Sequence, residues 1–187
     1  MKLVRIFANN DSLWSVSLRV IGENGLAENT DELDHLFDNW NNVEFLEDFF
    51  ESNKHDLKKF YGDIKVEEAV EITLLEARRL EATLINLAKS KEKDVNLDAI
   101  FKPLDNQIYI EQELTKSKAK GNARKSWLRI YAIRIDKNCF VVTGGAIKLT
   151  HLMKDREHTN LELIKINRCR DFLKAEGLDN IDAFFEL

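Results

Sequence analysis

The sequence predicts an α+β fold, an antiparallel sheet with helices packed on one of its sides. Three observations predict it. Period-two apolar patterning fills the first twenty residues and returns after Pro103, spacings of three and four fill the segment between, and a capping-box pattern opens another helix near the end. Strands, helices, three strands and a helix in that order are segregated rather than alternating, which is the α+β arrangement. With 187 residues, 44% of them hydrophobic and 33% charged, the chain is expected to form a single domain over 1–187. It can bury roughly 70% of its unfolded surface, so it needs no disulfide or metal to hold a core.

The elements follow in order. Val4, Ile6 and Ala8 alternate, and Trp14, Val16, Leu18 and Val20 alternate again against Leu13, Ser15, Ser17 and Arg19, with Asn9, Asn10, Asp11 and Ser12 between the two runs. That pattern reads as a two-stranded hairpin. Residues 22–29, GENGLAEN, read as a loop. Thr30 precedes an acidic first turn, Asp31 and Glu32, and a helix bearing Leu33, Leu36, Phe37 and Trp40. Asn41 with Glu44 resembles a capping pair for a second helix carrying Phe45, Leu46, Phe49 and Phe50, and residues 58–63 break the pattern. The longest helix runs from Val66 to about Lys89, its apolar stripe marked by Val66, Val70, Leu74, Ala77, Leu80, Leu84 and Leu87.

After Pro103, residues 107–114 alternate as a strand, and residues 116–126, KSKAKGNARKS, read as a flexible basic loop. Trp127–Ile135 is a strong strand, Asp136, Lys137 and Asn138 a tight turn, and Cys139–Thr143 the returning strand, continued past Gly144 and Gly145 as an edge strand or bulged extension. Thr159 with Glu162 forms the capping box of a helix that stops at Gly177, and the last ten residues form a short docking helix.

Charge is distributed unevenly. Residues 1–115 carry a net charge of −11, residues 116–174 carry +10, and the remainder carries −4. The basic part is expected either to meet an acidic partner, nucleic acid first, or to be neutralised by the acidic part of its own chain. Phosphate-binding loops, dinucleotide fingerprints, nucleophile elbows and zinc-protease motifs are absent, and the histidines at 35, 55, 151 and 158 have no metal-ligand spacing. Neither a metal nor a cofactor is expected. Cys139 and Cys169 read as core residues. No run approaches a membrane span, and the opening residues break their apolar run too early for a secretory signal, so the expected setting is cytoplasmic.

The strand WLRIYAIRID carries the chemistry. Leu128, Ile130, Ala132 and Arg134 lie on one parity; Trp127, Arg129, Tyr131, Ile133 and Ile135 lie on the other. An arginine between two aromatic rings, after Lys116, Lys118, Lys120, Arg124 and Lys125, suits single-stranded nucleic acid, whose phosphates need cations and whose bases need flat surfaces. The same pattern also arises from cation–π packing in a half-exposed strand.

From 107 to 174 the chain resembles the RelE/ParE superfamily of toxins from bacterial type II toxin–antitoxin pairs, particularly its HigB-like branch. The run LRIYAIRID, a turn, CFVVTGGAIKLT, the polar stretch THLMKDREHT and a basic helix carry the resemblance. It implies a toxin-like core over 66–187, with 1–65 an acidic N-terminal elaboration of a hairpin and two helices. It further implies action on mRNA in the ribosome, or, for a ParE-like relative, binding of DNA gyrase, together with a cognate antitoxin protein. Arg129 matches the arginine that the ribonucleases keep on the central strand, Lys148 matches the basic position ending the next strand, and His151 lies just beyond. No tyrosine follows Ile133, so the C-terminal aromatic of some ribonucleases is absent; Phe184 and Phe185 offer rings that cannot transfer a proton. Such cleavage has a 2′-hydroxyl attack the adjacent phosphate. It needs a base, cations against the developing charge and a proton for the leaving 5′-oxygen, and no metal. Arg129 and Lys148 are expected to stabilise the phosphate, and His151 to transfer protons, its ordinary pKa being near ~6.5. The competing expectations are a snorkelling edge lysine at 148 and a surface histidine at 151, on a binding protein that does not cleave.

Overall fold

A computed structural model describes residues 1–187 except 9, 18–19, 22–26, 29–30, 93, 105–113, 122–124 and 186–187, and leaves the side chains of 10, 20–21, 27–28 and 185 undescribed. The chain forms β1 (Lys2–Phe7), β2 (Asn10–Ser17), β3 (Val20–Ile21), β4 (Ala27–Glu28), α1 (Glu32–Asn41), α2 (Val43–Ser52), α3 (Lys54–Tyr61) and α4 (Val66–Lys89). There follow β5 (Lys102–Pro103), β6 (Thr115–Lys120), β7 (Leu128–Asp136), β8 (Cys139–Ile147), α5 (Glu157–Ala175) and α6 (Ile181–Phe185). Six strands make one sheet in the order β1-β2-β8-β7-β6-β5, and β3 pairs with β4 separately.

The α+β class stands. The sheet differs from expectation in two respects: β2 runs parallel to β8 in an otherwise antiparallel sheet, and helices cover both faces. The second difference has a plain cause. The two parities of β7 and of β8 are buried alike, Leu128, Ile130 and Ala132 on one face and Tyr131, Ile133 and Ile135 on the other, so each face needs a cover. On the first face Leu13, Ile130, Phe140 and Val142 pack with Leu36, Trp40, Phe50, Leu57, Leu80 and Leu84 from α1–α4. On the second, Trp14, Ile133 and Val141 pack with Ile166, Cys169 and Leu173 of α5 and Phe184 of α6. The hairpin β1–β2 is therefore part of the sheet, and α1–α3 share a core with α4.

Most local expectations hold: the hairpin, the helix over Val66–Lys89, the turn in which Asn138 adopts φ 55, and the stop at Gly177, whose φ is 69. Several are corrected. Residues 116–120 of the expected basic loop belong to β6, because Ser117 and Ala119 are small enough to be buried on the first face while the lysines take the other. Residues 58–61 continue α3 rather than breaking it. The cap of α2 is Asn42, one residue later than expected, since Asn41 instead donates to the Phe37 carbonyl. Helix α5 starts at Glu157, and the hydroxyl of Thr159 donates back to the carbonyls of Met153 and Arg156 rather than capping. The loop of 22–29 contains β4, and the strand expected at 107–114 lies, except for Leu114, outside the described residues.

The start of β7 is fastened to α4. Trp127 Nε1 donates to Thr73 Oγ1 at 3.0 Å, and Ser126 Oγ donates to Glu76 Oε2 at 2.6 Å while accepting from Leu128 N at 3.1 Å. Replacing Thr73 by Val keeps the shape and orphans the buried indole N–H, which costs about 1–3 kcal/mol. Thr73→Val is expected to lower the urea midpoint without changing the slope, and Thr73→Ser to restore most of it.

Candidate nucleic-acid interface

Register on the second face sets out the candidate residues in rows. Lys120 lies opposite Arg129, which lies opposite Ala146; Lys118 lies opposite Tyr131, which lies opposite Gly144; Lys116 lies opposite Ile133, which lies opposite Val141. Helix α5 covers the second row at Tyr131 and Gly144 and the rows that follow. Past the second row the face opens into a cavity of about 1160 Å³, lined by Lys118, Lys120, Arg129, Tyr131, Lys148 and His151, by the rest of the segment 149–156, and by Asp56, Lys59 and Phe60 of α3. Seven lysines and arginines line it against two carboxylates.

Each cation has a defined berth. Arg129 Nη1 donates to the carbonyls of Ser126 and Leu128 at 2.8 and 2.7 Å, so the anchored start of β7 also aims the guanidinium. Lys148 continues the ladder, its N–H donating to Trp127 O at 2.8 Å, and its ammonium donates to the carbonyls of Thr150 and His151. Lys118 Nζ donates to Leu104 O at 2.6 Å. Burial lowers the Arg129 pKa from its ordinary value. Burial, with Arg129, Lys118 and Lys120 nearby, lowers that of Lys148 against the opposing pull of Asp155. Backbone carbonyls do not cancel a charge, so the inner end of the cavity favours a bound anion.

Six residues expected at a site thus meet in one cavity. Four do not. Lys116 Nζ turns toward Asn167 Oδ1 at 3.4 Å under α5, Lys125 is exposed outside the lining, and Arg124 lies outside the described residues. Trp127 is 1% exposed on the opposite face, edge-on to Phe50 and Tyr61. The expected aromatic platform is therefore corrected: Trp127 and Tyr131 are both buried, so neither ring is free to stack on a base. Phe184 is buried edge-on against Trp14, and Phe185 has no described side chain. His151 is exposed at the rim. Both thiols are buried, which pushes their pKa up to about 12 and leaves them inert.

The sequence did not indicate Asp56 and Arg156, which lie a hundred residues apart and pair across the cavity wall with Nε–Oδ2 at 2.5 Å and Nη2–Oδ1 at 2.6 Å. That pair holds Asp56 below the usual carboxylate range. Beneath the second row, Lys165 bridges Glu32 of α1 and Glu162 of α5 at 2.6 and 2.7 Å. Gly144 makes room for it: at φ 142, a Cβ there would stand 2.3 Å from Glu162 Oε2 and 2.4 Å from Lys165 Nζ. No family model, curated protein or solved structure matches the chain.

Two carboxylates share one ammonium in this buried cluster, and desolvation with Glu32 nearby raises Glu162 from 4.5 to about 7. The folded state therefore holds a proton that the unfolded chain releases. The stability this contributes is full below pH 4.5 and is lost as pH rises through about 7, on the order of 3 kcal/mol in all. Thermal melts at acidic and mildly alkaline pH should show Glu162→Gln losing less stability than wild type between them. Parallel pH profiles for the two would refute the assignment.

Proposed function

We propose that the chain is a toxin-like endoribonuclease of the RelE/HigB kind that cleaves mRNA, with the ribosome as its setting, the cytoplasm as its compartment and a cognate antitoxin protein as its partner. The convergence of Arg129, Lys148, Lys118 and Lys120 in one cavity, with His151 at its rim, is the observation that carries this reading. In it, RNA lays a phosphodiester against Arg129 and Lys148. The 2′-oxygen gives up its proton to a base and forms a bond to phosphorus, the bond to the 5′-oxygen breaks, and that oxygen takes up a proton. His151 serves the proton transfers, and the cations stabilise the charge that grows on the phosphoryl oxygens. Lys148 is suited to follow that charge, because its like-charged neighbours make a bound anion favourable.

A second reading keeps the cavity and drops the cleavage, making the chain a nucleic-acid binder that does not react. The burial of Trp127 and Tyr131 favours it, since neither of those rings can hold a base beside the reacting phosphate. Incubating purified protein with translating ribosomes and mRNA separates the two. Cleavage by the wild type, reduced about 10²–10³-fold in Arg129→Ala and Lys148→Ala, supports the first reading. Intact mRNA with binding that weakens steeply in salt supports the second, and neither cleavage nor binding overturns both.

A further inference from the structure

Tyr131 presents an unsolved cost. Its side chain is 1% exposed, and among the described residues its hydroxyl has no hydrogen-bond partner. An orphaned hydroxyl in a core costs about 1–3 kcal/mol, and phenylalanine would fill the same volume without it. The ring cannot explain the residue through base stacking, because it is enclosed between α5 and the sheet. What distinguishes Tyr131 from its buried neighbours is its place: it lines the cavity, directly opposite Lys118 and one row from Arg129.

Glu162 of α5 is the acidic group that acts on it, and the cavity-lining groups around it are donors. Arg129 spends Nη1 on two carbonyls, and among the described residues its Nε and Nη2 have no partner. Lys148 donates to two carbonyls and has a third N–H. Burial raises the Tyr131 pKa far above its ordinary value, so the hydroxyl keeps its proton throughout the physiological range and can donate. Guanidinium, ammonium and phenol therefore converge from β7, the end of β8 and β6. A carboxylate, with two oxygens in one plane, uses such a set only in part; a phosphodiester carries its charge on two oxygens at a tetrahedral centre and is reached from several strands at once.

We propose that the Tyr131 hydroxyl is the recessed donor of a phosphodiester subsite at the inner end of the cavity, completed by Arg129, Lys118 and Lys148. The proposal rests on the reading of the cavity as an RNA site and adds to it a neutral donor that positions one phosphoryl oxygen. Tyr131 holds the phosphate while the cations carry the charge. Its hydrogen-bonding partner is the ligand itself, which is why the hydroxyl stands unpaired without one.

The test compares wild type, Tyr131→Phe and Arg129→Ala for binding of a short 2′-O-methyl RNA, which offers the phosphates and cannot react. Melting temperature and salt dependence are followed for each. Tyr131→Phe is expected to melt at or above the wild-type temperature, to bind about tenfold more weakly or worse, and to keep the wild-type slope of affinity against salt, because a neutral donor releases no counterion. Arg129→Ala is expected to weaken binding with a slope shallower by about one. Wild-type affinity in Tyr131→Phe beside a weakened Arg129→Ala overturns the subsite and leaves the RNA reading standing. A Tyr131→Phe protein that melts well below wild type also overturns it, since the hydroxyl then has a structural partner. Absence of binding by the wild type overturns the subsite and the RNA reading together.

Discussion

The covering of the sheet's second face by α5 and the short α6, which stop short of the strand ends, is the constraint on which the rest of the molecule depends. The first face is closed along its length by α1–α4, with Ala119, Leu128, Ile130, Ala132, Phe140 and Val142 all buried beneath them. Helix α5 closes the second only from Tyr131 onward, through Ile166, Cys169 and Leu173. The strands do not end where the helix does. Their continuation presents Lys120, Arg129 and Lys148 to a cavity instead of a core. Clustered like charges cost stability, and here that cost falls where the opposite face is most firmly fixed, at Thr73–Trp127 and Glu76–Ser126. The extra residue in β8 lies at the same boundary: Thr143 has no cross-strand partner between the Tyr131–Gly144 and Ala132–Val142 pairs, and the bulge lets Gly144 face α5 and Gly145 face α1.

The opposed charges of the two parts of the chain are reconciled in part within the fold. Asp98 takes Arg134, Asp56 takes Arg156, and Glu32 takes Lys165. Each pair joins an acidic early residue to a basic late one, so internal neutralisation is real. Ion pairs of this kind add little net stability, and the stronger effect of the buried one is on register: Glu32 and Glu162 can share Lys165 only if α1 and α5 approach β8 at Gly144. Arg129 and Lys148 stand apart from this scheme because their described partners are carbonyls.

Much of the fold was legible because its signals are local. The stripe on α4, the turn at Asn138 and the stop at Gly177 each follow from residues within a few positions of one another. The positions of Arg129 and Lys148 were legible for a similar reason, since a single hairpin brings them together. What failed needed knowledge of the other face. An alternating strand with a large residue on each parity looks half-exposed until α5 is known to lie over Tyr131 and α2–α4 over Trp127. The lysines of β6 suggested a loop because its inward residues, Ser117 and Ala119, are too small to register as apolar. Asp56 and Arg156 carry no joint signal across a hundred residues.

The exposure of the cavity's cations bears on what it holds. At about 1160 Å³ it exceeds the ~300–1,000 Å³ usual for a small-molecule pocket, so one compact anion would leave much of it to water. Lys120 and Lys154 are exposed, where solvent screens a charge and its main effect is on the rate of encounter. Arg129 and Lys148 are partly buried, where solvent screens a contact with an anion less than it does at the rim. Outer charges that attract and inner charges that hold suit a polymer with a phosphate at each step, one phosphate reaching the interior while its neighbours remain in solvent. A free phosphate ion would be steered by Lys120 and Lys154 but, once bound at the inner end, would make no contact with them.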